Sequence, residues 1–216
     1  IDAAVQGAIV AKYRNAGQTC VCANRILVDR KVLTSFTQKF VKEVKKLKVG
    51  NGMDASVNIG PMINKGAMND TQTLVDESLE QGATVELSGG PVKGDGSFYQ
   101  PVVLSNVSND MAIAQNEMFG PVAPIIPFDT EQEAIAIANS TEYGLAAYFY
   151  ARDIGRIWRV AEQLDFGMVG INEGIISNAA APFGGVKQSG NGREGSKYGL
   201  DDYLEIKYLC MGGLGK

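Results

Sequence analysis

Two cysteines separated by a single residue carry the most reactive chemistry in this sequence. Cys20 and Cys22 lie in the run GQTCVC at residues 17–22, between an amphipathic segment and a short apolar one. A thiolate is a strong nucleophile where its surroundings favour the anion and leave it accessible. A glycine-rich loop also brings backbone N–H groups close to the thiolate and to an oxyanion formed beside it. The alternative interpretation is that both thiols are buried and inert.

The remaining residue types limit what these thiols can do. The 216 residues include no histidine, which excludes a Ser-His-Asp triad, a Cys-His dyad and histidine-ligated zinc. Cys-x-Cys is too tight for a Cys-x-x-Cys redox motif, and two thiols without further ligands make no zinc site, so we expect no metal. Cys20 and Cys22 are predicted to form a strained, easily reduced disulfide, with Cys22 as the redox partner. Cys210, on an apolar stretch, is interpreted as a packing residue.

A second run with chemical meaning is EMFGP at residues 117–121, which joins a polar stretch to a strongly apolar one. The Glu117 carboxylate could hold a ribose while the Phe119 ring lies against a flat heterocycle. The alternative is an ordinary turn with a buried phenylalanine. The run alone does not decide between these interpretations.

Composition narrows the class of protein and its partners. With 24 acidic and 20 basic residues the net charge is −4, which argues against nucleic acid or an anionic membrane as partner. No apolar run approaches the roughly 18 residues that span a bilayer, and no signal peptide is visible. An odd number of cysteines suits a reducing compartment, so we expect an intracellular protein of the cytoplasm or the mitochondrial matrix. The chain opens inside an amphipathic segment without Met, so we expect it to be part of a longer protein.

The elements that must position these residues follow from apolar periodicity. One helix is indicated by apolar residues at three- and four-residue steps: Val32, Phe36, Phe40, Val44 and Leu47. Further helices are predicted over residues 1–14, 65–81, 130–139 and 154–164, and strands over 26–28, 85–87, 99–104, 122–128, 145–151 and 168–171, with a hairpin turn at 93–96. The alternation of strand and helix predicts a three-layer α/β/α domain with a mostly parallel sheet. Residues 203–210 are interpreted as an edge or arm strand that could pair with another chain.

Three runs resemble signature stretches of the aldehyde dehydrogenase superfamily, in the family's order. They are NAGQTC at residues 15–20, EMFGP at 117–121 and PFGGVKQSG at 182–190, and GLAA at 144–147 resembles the family's strand at that point. The resemblance covers essentially the whole chain. Residues 12–25, 172–177 and 192–199 resemble succinate-semialdehyde dehydrogenases in particular, and relatives that act on glutarate semialdehyde share much of them.

This resemblance implies roles for individual residues. Cys20 would attack the aldehyde to give a thiohemiacetal, hydride would leave for the nicotinamide, and water would hydrolyse the resulting thioester. Glu117 would bind the nicotinamide ribose, and Phe119 would pack beside the nicotinamide of NAD or NADP. Phe183 would line the aldehyde channel.

The resemblance also implies what binds the substrate's far end. Arg14 and Ser177 would hold the distal carboxylate of an acidic aldehyde. From its position alone, Arg14 is better explained as a cation that satisfies the last carbonyls of a helix.

The domain assignment follows from the same resemblance. Residues 1–216 would be one thiol-bearing catalytic domain. The domain that mainly binds NAD or NADP, the general-base Glu and the oxyanion-hole Asn would precede residue 1. We therefore expect the isolated chain to be inactive and the complete protein to be a homo-oligomer, a dimer or tetramer. The alternatives are a dehydrogenase for another aldehyde and a catalytically inactive assembly module.

Overall fold

The computed structural model describes residues 1–213 and 215, and it has an α/β architecture. The strands in chain order are β1 (Ile26–Asp29), β2 (Thr84–Leu87), β3 (Gly90–Pro91), β4 (Tyr99–Gln100), β5 (Val102–Ser105), β6 (Val122–Phe128), β7 (Tyr143–Gly144), β8 (Ala146–Phe149), β9 (Met168–Ile171) and β10 (Val186–Lys187). The helices are α1 (Asp2–Tyr13), α2 (Leu33–Val44), α3 (Lys65–Glu80), α4 (Ala112–Gln115), α5 (Glu131–Asn139) and α6 (Ile154–Gln163). A turn with left-handed backbone covers Arg14–Gly17, and a 3₁₀ segment covers Tyr198–Tyr203.

Four of the strands form the main sheet, in the order β1-β6-β5-β2. β6 runs parallel to both of its neighbours, with Ile125 beside Ile26 of β1 and Ala123 beside Val103 of β5. β2 is antiparallel to β5 and closes one edge. The first five residues of β6 are buried, as expected for a central strand covered on both faces. The prediction of a mostly parallel sheet is confirmed.

Helices cover both faces of this sheet, because successive side chains of a strand point to opposite sides. Ile126 packs with Val75 of α3 in one apolar core. Its neighbour Ile125 packs with Phe40 of α2 and Val5 of α1 in the other. The arrangement is therefore the three-layer α/β/α domain that the sequence predicts.

The helices begin and bury their faces as the sequence indicates. Phe36, Phe40 and Val44 of α2 recur at four-residue steps and are buried, with the two rings stacked 5.6 Å apart. Asn64 caps α3, since its side-chain oxygen accepts a hydrogen bond from a backbone N–H three residues later at 2.8 Å. α5 and α6 begin with side-chain caps of the same kind. No helix within the described residues is long and apolar enough to cross a membrane.

The shorter strands form separate pairs. β8 and β9 lie parallel to one another, with Ala146 beside Met168, and α6 connects them. β10 is antiparallel to β7, which brings Val186 beside Gly144. β3 and β4 form the hairpin predicted around residues 93–96. The order of elements predicts the parallel β8–β9 pair, but it could not show that this pair is separate from the main sheet.

The C-terminal segment, residues 204–213, differs from the expected arm strand. Tyr203 closes a 3₁₀ turn, and residues 204–210 pair with no strand in the part of the chain that the structure describes. Tyr203 and Ile206 are 86% and 101% exposed. A strand needs hydrogen-bond partners along one edge, and the described residues offer this segment none. Pairing with another chain stays a prediction.

Candidate functional site

The thiol loop, residues 14–22, has an unusual backbone. Asn15, Ala16 and Gly17 are consecutive residues in the left-handed region, with φ of 52°, 59° and 79°. Such a run is costly for residues with a Cβ and persists only where the surroundings hold it. Asn15 donates from its amide to the carbonyl of Gln18 at 3.0 Å, and Gln18 donates back to the carbonyl of Asn15 at 3.2 Å. The two amides therefore lock the turn from both sides.

Gly17 also explains how the two signature runs meet. A Cβ placed on Gly17 would lie 2.3 Å from the carbonyl oxygen of Gly120, so the two backbones are in direct contact. Gly120 is also closely packed, since a Cβ there would lie 2.7 Å from the hydroxyl of Thr71. The thiol loop and the EMFGP run, 100 residues apart in sequence, therefore form one surface.

The two thiols have different surroundings. Cys20 is exposed, whereas Cys22 is half-buried with its Sγ 2.6 Å from the hydroxyl of Thr19 and 3.6 Å from the carbonyl oxygen of Arg14. The backbone N–H of Cys20 donates no hydrogen bond to any of the described residues. Cys20 thus presents both a thiol and a backbone donor to solvent, while Cys22 is engaged inside the loop. These positions favour Cys20 as the nucleophile, which remains a proposal.

Beneath the loop lies a buried cation that the sequence analysis did not single out. Lys12 is fully buried, and its Nζ has no hydrogen-bond partner among residues 1–213 and 215. Burial lowers the pKa of Lys12 to about 8, and the nearby Cys22 opposes part of that shift. The backbone beside it is tied down, because Ala23 donates to the carbonyl of Ala11 at 2.9 Å. A lysine near the end of an amphipathic helix is typical of a surface position, so no feature of the sequence indicates its burial.

The EMFGP run is held by a residue outside it. The side chain of Asn24 donates to the carbonyl of Asn116 at 2.8 Å and accepts from the N–H of Met118 at 2.8 Å. It therefore brackets Glu117, which is exposed, while Phe119 is 40% exposed. Both residues therefore lie on the surface of the run that contacts the thiol loop through Gly120 and Gly17. Asn24 was missed because its two partners lie more than 90 residues away.

Arg14 lies at the entrance of the thiol loop. Its side chain is half-buried and makes no ion pair with a carboxylate in the described part of the chain. It lies close to Tyr148, whose pKa is raised to about 12 by burial against the opposing charge of Arg14. An arginine without an internal carboxylate partner is available to bind an external one.

Ser177 and Phe183 lie on the loops that follow β9. Ser177 is exposed, and the preceding Ile176 lies with the ring of Tyr148 against Gly170 of β9. This contact brings the Ser177 loop to the same side chain that borders Arg14. Phe183 is half-buried and exchanges two backbone hydrogen bonds with Glu194, at 2.8 and 2.7 Å. No hydrogen bond in the described residues joins the Phe183 loop to the thiol loop.

An apolar cavity lies behind the thiol loop. This mainly apolar cavity of about 500 Å³ separates α1 from α5 and α6. Ala11, Ala23 and Tyr148 border it from behind the thiol loop, but none of the predicted catalytic, substrate-binding or cofactor-binding residues lines it. The predicted site residues therefore lie outside this cavity, and Cys20 lies on the exposed face of the thiol loop.

The residues beside the thiol loop fit one end of a nicotinamide cofactor. The Glu117 side chain makes no hydrogen bond within the described residues, so its carboxylate is free to accept from ribose hydroxyls. The partly exposed ring of Phe119 offers an apolar face next to it. These two groups suit a ribose and its attached ring, as the sequence predicts, and leave the rest of a dinucleotide unaccounted for.

The layered fold, the exposed thiol and the neighbouring Glu-x-Phe-Gly-Pro turn agree with the resemblance to the aldehyde dehydrogenase family. The aldehyde dehydrogenase family matches residues 1–209, and this chain belongs to that family. Members of the family use NAD or NADP.

Particular relatives are similar over nearly the whole chain. The mitochondrial succinate-semialdehyde dehydrogenase of Oryza sativa subsp. japonica is 54% identical over 214 residues, which are 99% of this chain and 41% of that protein. The glutarate-semialdehyde dehydrogenase of Pseudomonas aeruginosa is 52% identical over 214 residues, or 99% and 44%. The crystal structure of succinate-semialdehyde dehydrogenase from Burkholderia pseudomallei has a TM-score of 0.94 at 54% identity, covering 97% and 44%. The chain thus spans less than half the length of these relatives.

Proposed function

We propose that this chain is the thiol-bearing catalytic domain of an NAD- or NADP-dependent succinate-semialdehyde dehydrogenase. The observation that carries the proposal is the contrast between the two thiols. Cys20 is exposed, and its backbone N–H has no partner among the described residues, whereas Cys22 is hydrogen-bonded to Thr19. An exposed thiol beside a free amide donor is what addition to an aldehyde requires. Family membership and relatives named for succinate and glutarate semialdehyde support the substrate class.

In the proposed reaction the Cys20 thiolate forms a bond to the aldehyde carbon, and the carbonyl π electrons move to oxygen. The backbone N–H of Cys20 donates to that oxyanion. A bound nicotinamide supplies the hydride acceptor that turns the thiohemiacetal into a thioester. Water then cleaves the thioester to the carboxylic acid and returns the thiolate. Glu117 and Phe119 would hold the ribose and the nicotinamide ring beside the thiol loop.

The substrate's far end would meet Arg14. Its guanidinium has no carboxylate partner in the described residues and lies about six residues upstream of the thiol, at the start of the same loop. Ser177 adds a neutral donor from the loop that contacts Tyr148 through Ile176. Phe183 would line the path by which the aldehyde enters.

Activity would need more than these 216 residues. The general base and the oxyanion-hole Asn are proposed to precede residue 1, together with most of the cofactor site. The isolated chain should therefore oxidise no aldehyde and should show no saturable NAD or NADP binding in calorimetric titration. Tight binding of either cofactor by the isolated chain would contradict this boundary.

Substitution of each cysteine in the complete enzyme tests the function. Cys20→Ser should abolish oxidation of succinate semialdehyde, while Cys22→Ser and Cys210→Ser should retain most of it. Cys210 is exposed in the C-terminal segment and serves as the matched control. Full activity in Cys20→Ser would refute the assignment of Cys20 as the nucleophile. Uniformly slow iodoacetamide labelling of all three thiols would instead favour an inactive assembly module.

Glutarate semialdehyde is the second candidate substrate, favoured by the 52% identity to the Pseudomonas aeruginosa enzyme. The two aldehydes differ by one methylene, which is worth roughly 10- to 200-fold in a shaped pocket. The ratio of kcat/KM for the two substrates in the complete enzyme therefore decides between them.

Cys22 is also proposed as a redox partner of Cys20. A disulfide would require Cys22 to leave the hydroxyl of Thr19, and a bridge across one intervening residue is strained and easily reduced. Intact mass after peroxide should fall by two hydrogen atoms, mapped to one peptide and reversed by reductant. Oxygen adducts on Cys20 without that loss would exclude the bridge.

A further inference from the structure

The hydroxyl of Tyr148 reaches the thiol loop from a distant strand. Tyr148 lies on β8, and its Oη donates to the carbonyl oxygen of Val21 at 2.8 Å, across 127 residues of sequence. Val21 is the residue between the two thiols, and it is 3% exposed. The bond therefore fixes the backbone at the point where the orientation of both cysteines is set.

The peptide unit that Tyr148 contacts is held at both of its polar ends. The N–H of Cys22 donates to the carbonyl of Thr19 at 2.9 Å, which closes the turn around Cys20 and Val21. The carbonyl of the same peptide unit accepts from Tyr148, and no other donor reaches it within the described residues. Without the phenol this buried carbonyl would lack a partner, so the peptide would be driven to rotate toward solvent.

Tyr148 itself is firmly placed. Its ring lies on Gly170 of β9, where an added Cβ would come within 2.7 Å of the ring carbon Cδ1. Burial raises the pKa of Tyr148 to about 12, although the positive charge of Arg14 acts in the opposite direction and Cys22 and Cys20 add to the rise. The phenol therefore keeps its proton at neutral pH and remains a donor.

We propose that Tyr148 is a positioning residue for the nucleophile, which acts through the Val21 carbonyl to keep the Cys20 thiol facing solvent and the substrate. This inference rests on the proposed function, because it takes Cys20 as the nucleophile. The inference gives different roles to two residues that lie close together, Tyr148 and Arg14. Tyr148 orients the thiol for every aldehyde, whereas Arg14 serves only acidic ones.

Tyr148→Phe in the full-length enzyme tests the role, because it removes the donor and keeps the ring. We expect kcat to fall about ten-fold for both succinate semialdehyde and butyraldehyde, with KM changed less than about two-fold, since one hydrogen bond to the loop is lost. Iodoacetamide labelling of Cys20, followed by peptide mass, should slow by a similar factor. Tyr150→Phe is the matched control: Tyr150 follows β8 and its hydroxyl makes no hydrogen bond within the described residues, so it should behave as wild type.

The outcomes separate this role from the alternatives. A lower melting temperature with unchanged kcat and unchanged labelling would make Tyr148 merely structural and overturn the inference. A loss confined to succinate semialdehyde would make it a substrate contact and would overturn the inference too. Labelling needs neither substrate nor cofactor. A slowed Cys20 label in an enzyme whose Cys20→Ser variant stays active would therefore support the positioning and reject the proposed function.

A second variant keeps the test decisive if Tyr148→Phe does not fold. Replacement of Tyr148 by 3,5-difluorotyrosine keeps the shape but lowers the pH at which the phenol ionises, and the phenolate cannot donate to a carbonyl. The Cys20 labelling rate, taken as a ratio to wild type at each pH, should fall as that phenol ionises. A constant ratio through the ionisation would overturn the inference.

Discussion

The thiol loop and the C-terminal segment are organised in opposite ways. The loop contains three consecutive left-handed residues, yet hydrogen bonds hold it from within and from outside. Gln18 donates to the distant carbonyl of Pro61, and the distant Tyr148 donates to the carbonyl of Val21. The C-terminal segment leaves its 3₁₀ turn with ordinary extended backbone at Leu204, and large apolar side chains such as Ile206 are fully exposed. A segment of this protein is therefore held in place by its contacts within the chain, even where its local backbone conformation is unfavourable.

Gly17→Ala should have the largest effect. The new Cβ would lie 2.3 Å from the carbonyl oxygen of Gly120 and would sit at φ +79°, so the loop and the EMFGP run must separate. We expect a loss of more than about 2 kcal/mol in unfolding free energy, measured by urea denaturation, together with slow labelling of Cys20. Gly82→Ala is the control, because Gly82 also has positive φ (+99°) but has nothing within 4 Å of an added Cβ. Equal losses in the two variants would show that the Gly17–Gly120 contact contributes nothing.

Lys12→Met should stabilise the protein at neutral pH. The substitution removes a buried cation that has no hydrogen-bond partner in the described residues, and methionine has a side chain of similar length. Burial lowers the pKa of Lys12 to about 8, below its unfolded value, so between pH 8 and about pH 10 the unfolded chain holds the proton more tightly. Wild-type stability should therefore rise with pH across that window, by on the order of a few kcal/mol, and Lys12→Met should not show the rise. The check is urea denaturation at several pH values, with the exposed Lys45→Met as control. A variant that is less stable than wild type at pH 7 would mean that Lys12 has a stabilising partner in the full enzyme.

Arg14→Ala should act on substrate choice with little effect on the fold. A charged hydrogen bond in a closed pocket is worth roughly 1.5–3 kcal/mol, so kcat/KM for succinate semialdehyde should fall about ten- to a hundred-fold. Butyraldehyde has the same chain without the carboxylate, and its kcat/KM should barely change. Arg152→Ala, at an exposed position, controls for the change in net charge. An equal loss on both substrates would show that Arg14 supports the loop instead of binding the acid.

Ile206→Lys should have the smallest effect on the folded chain. Ile206 has no burial to lose, so the unfolding free energy should change by less than about 0.5 kcal/mol. If the segment pairs with another copy in the complete enzyme, the same substitution should shift the expected dimer or tetramer toward smaller species in sedimentation velocity. An unchanged assembly would remove this segment from the interface.

The sequence predicted what depends on neighbours along the chain. Phe36, Phe40 and Val44 mark α2 through their spacing, and the apolar run of β6 marks a central strand. It could not predict Lys12 beneath the loop or Asn24 around Glu117, because these placements depend on contacts that only the folded chain creates. Residues that hold the site resemble ordinary surface residues in the sequence, whereas residues that would perform the chemistry lie in recognisable runs.

The contacts that hold the thiol loop join residues that are synthesised far apart in time. Cys20 is made first, while Gly120 and Tyr148, whose contacts shape the loop, follow 100 and 128 residues later. Contacts of such long sequence separation form late, because the intervening chain must first be ordered. We therefore expect Cys20 to behave as an ordinary thiol in nascent chains and to acquire its native reactivity only after β8 has left the ribosome. Pulse alkylation of ribosome-bound chains of increasing length would reveal that step.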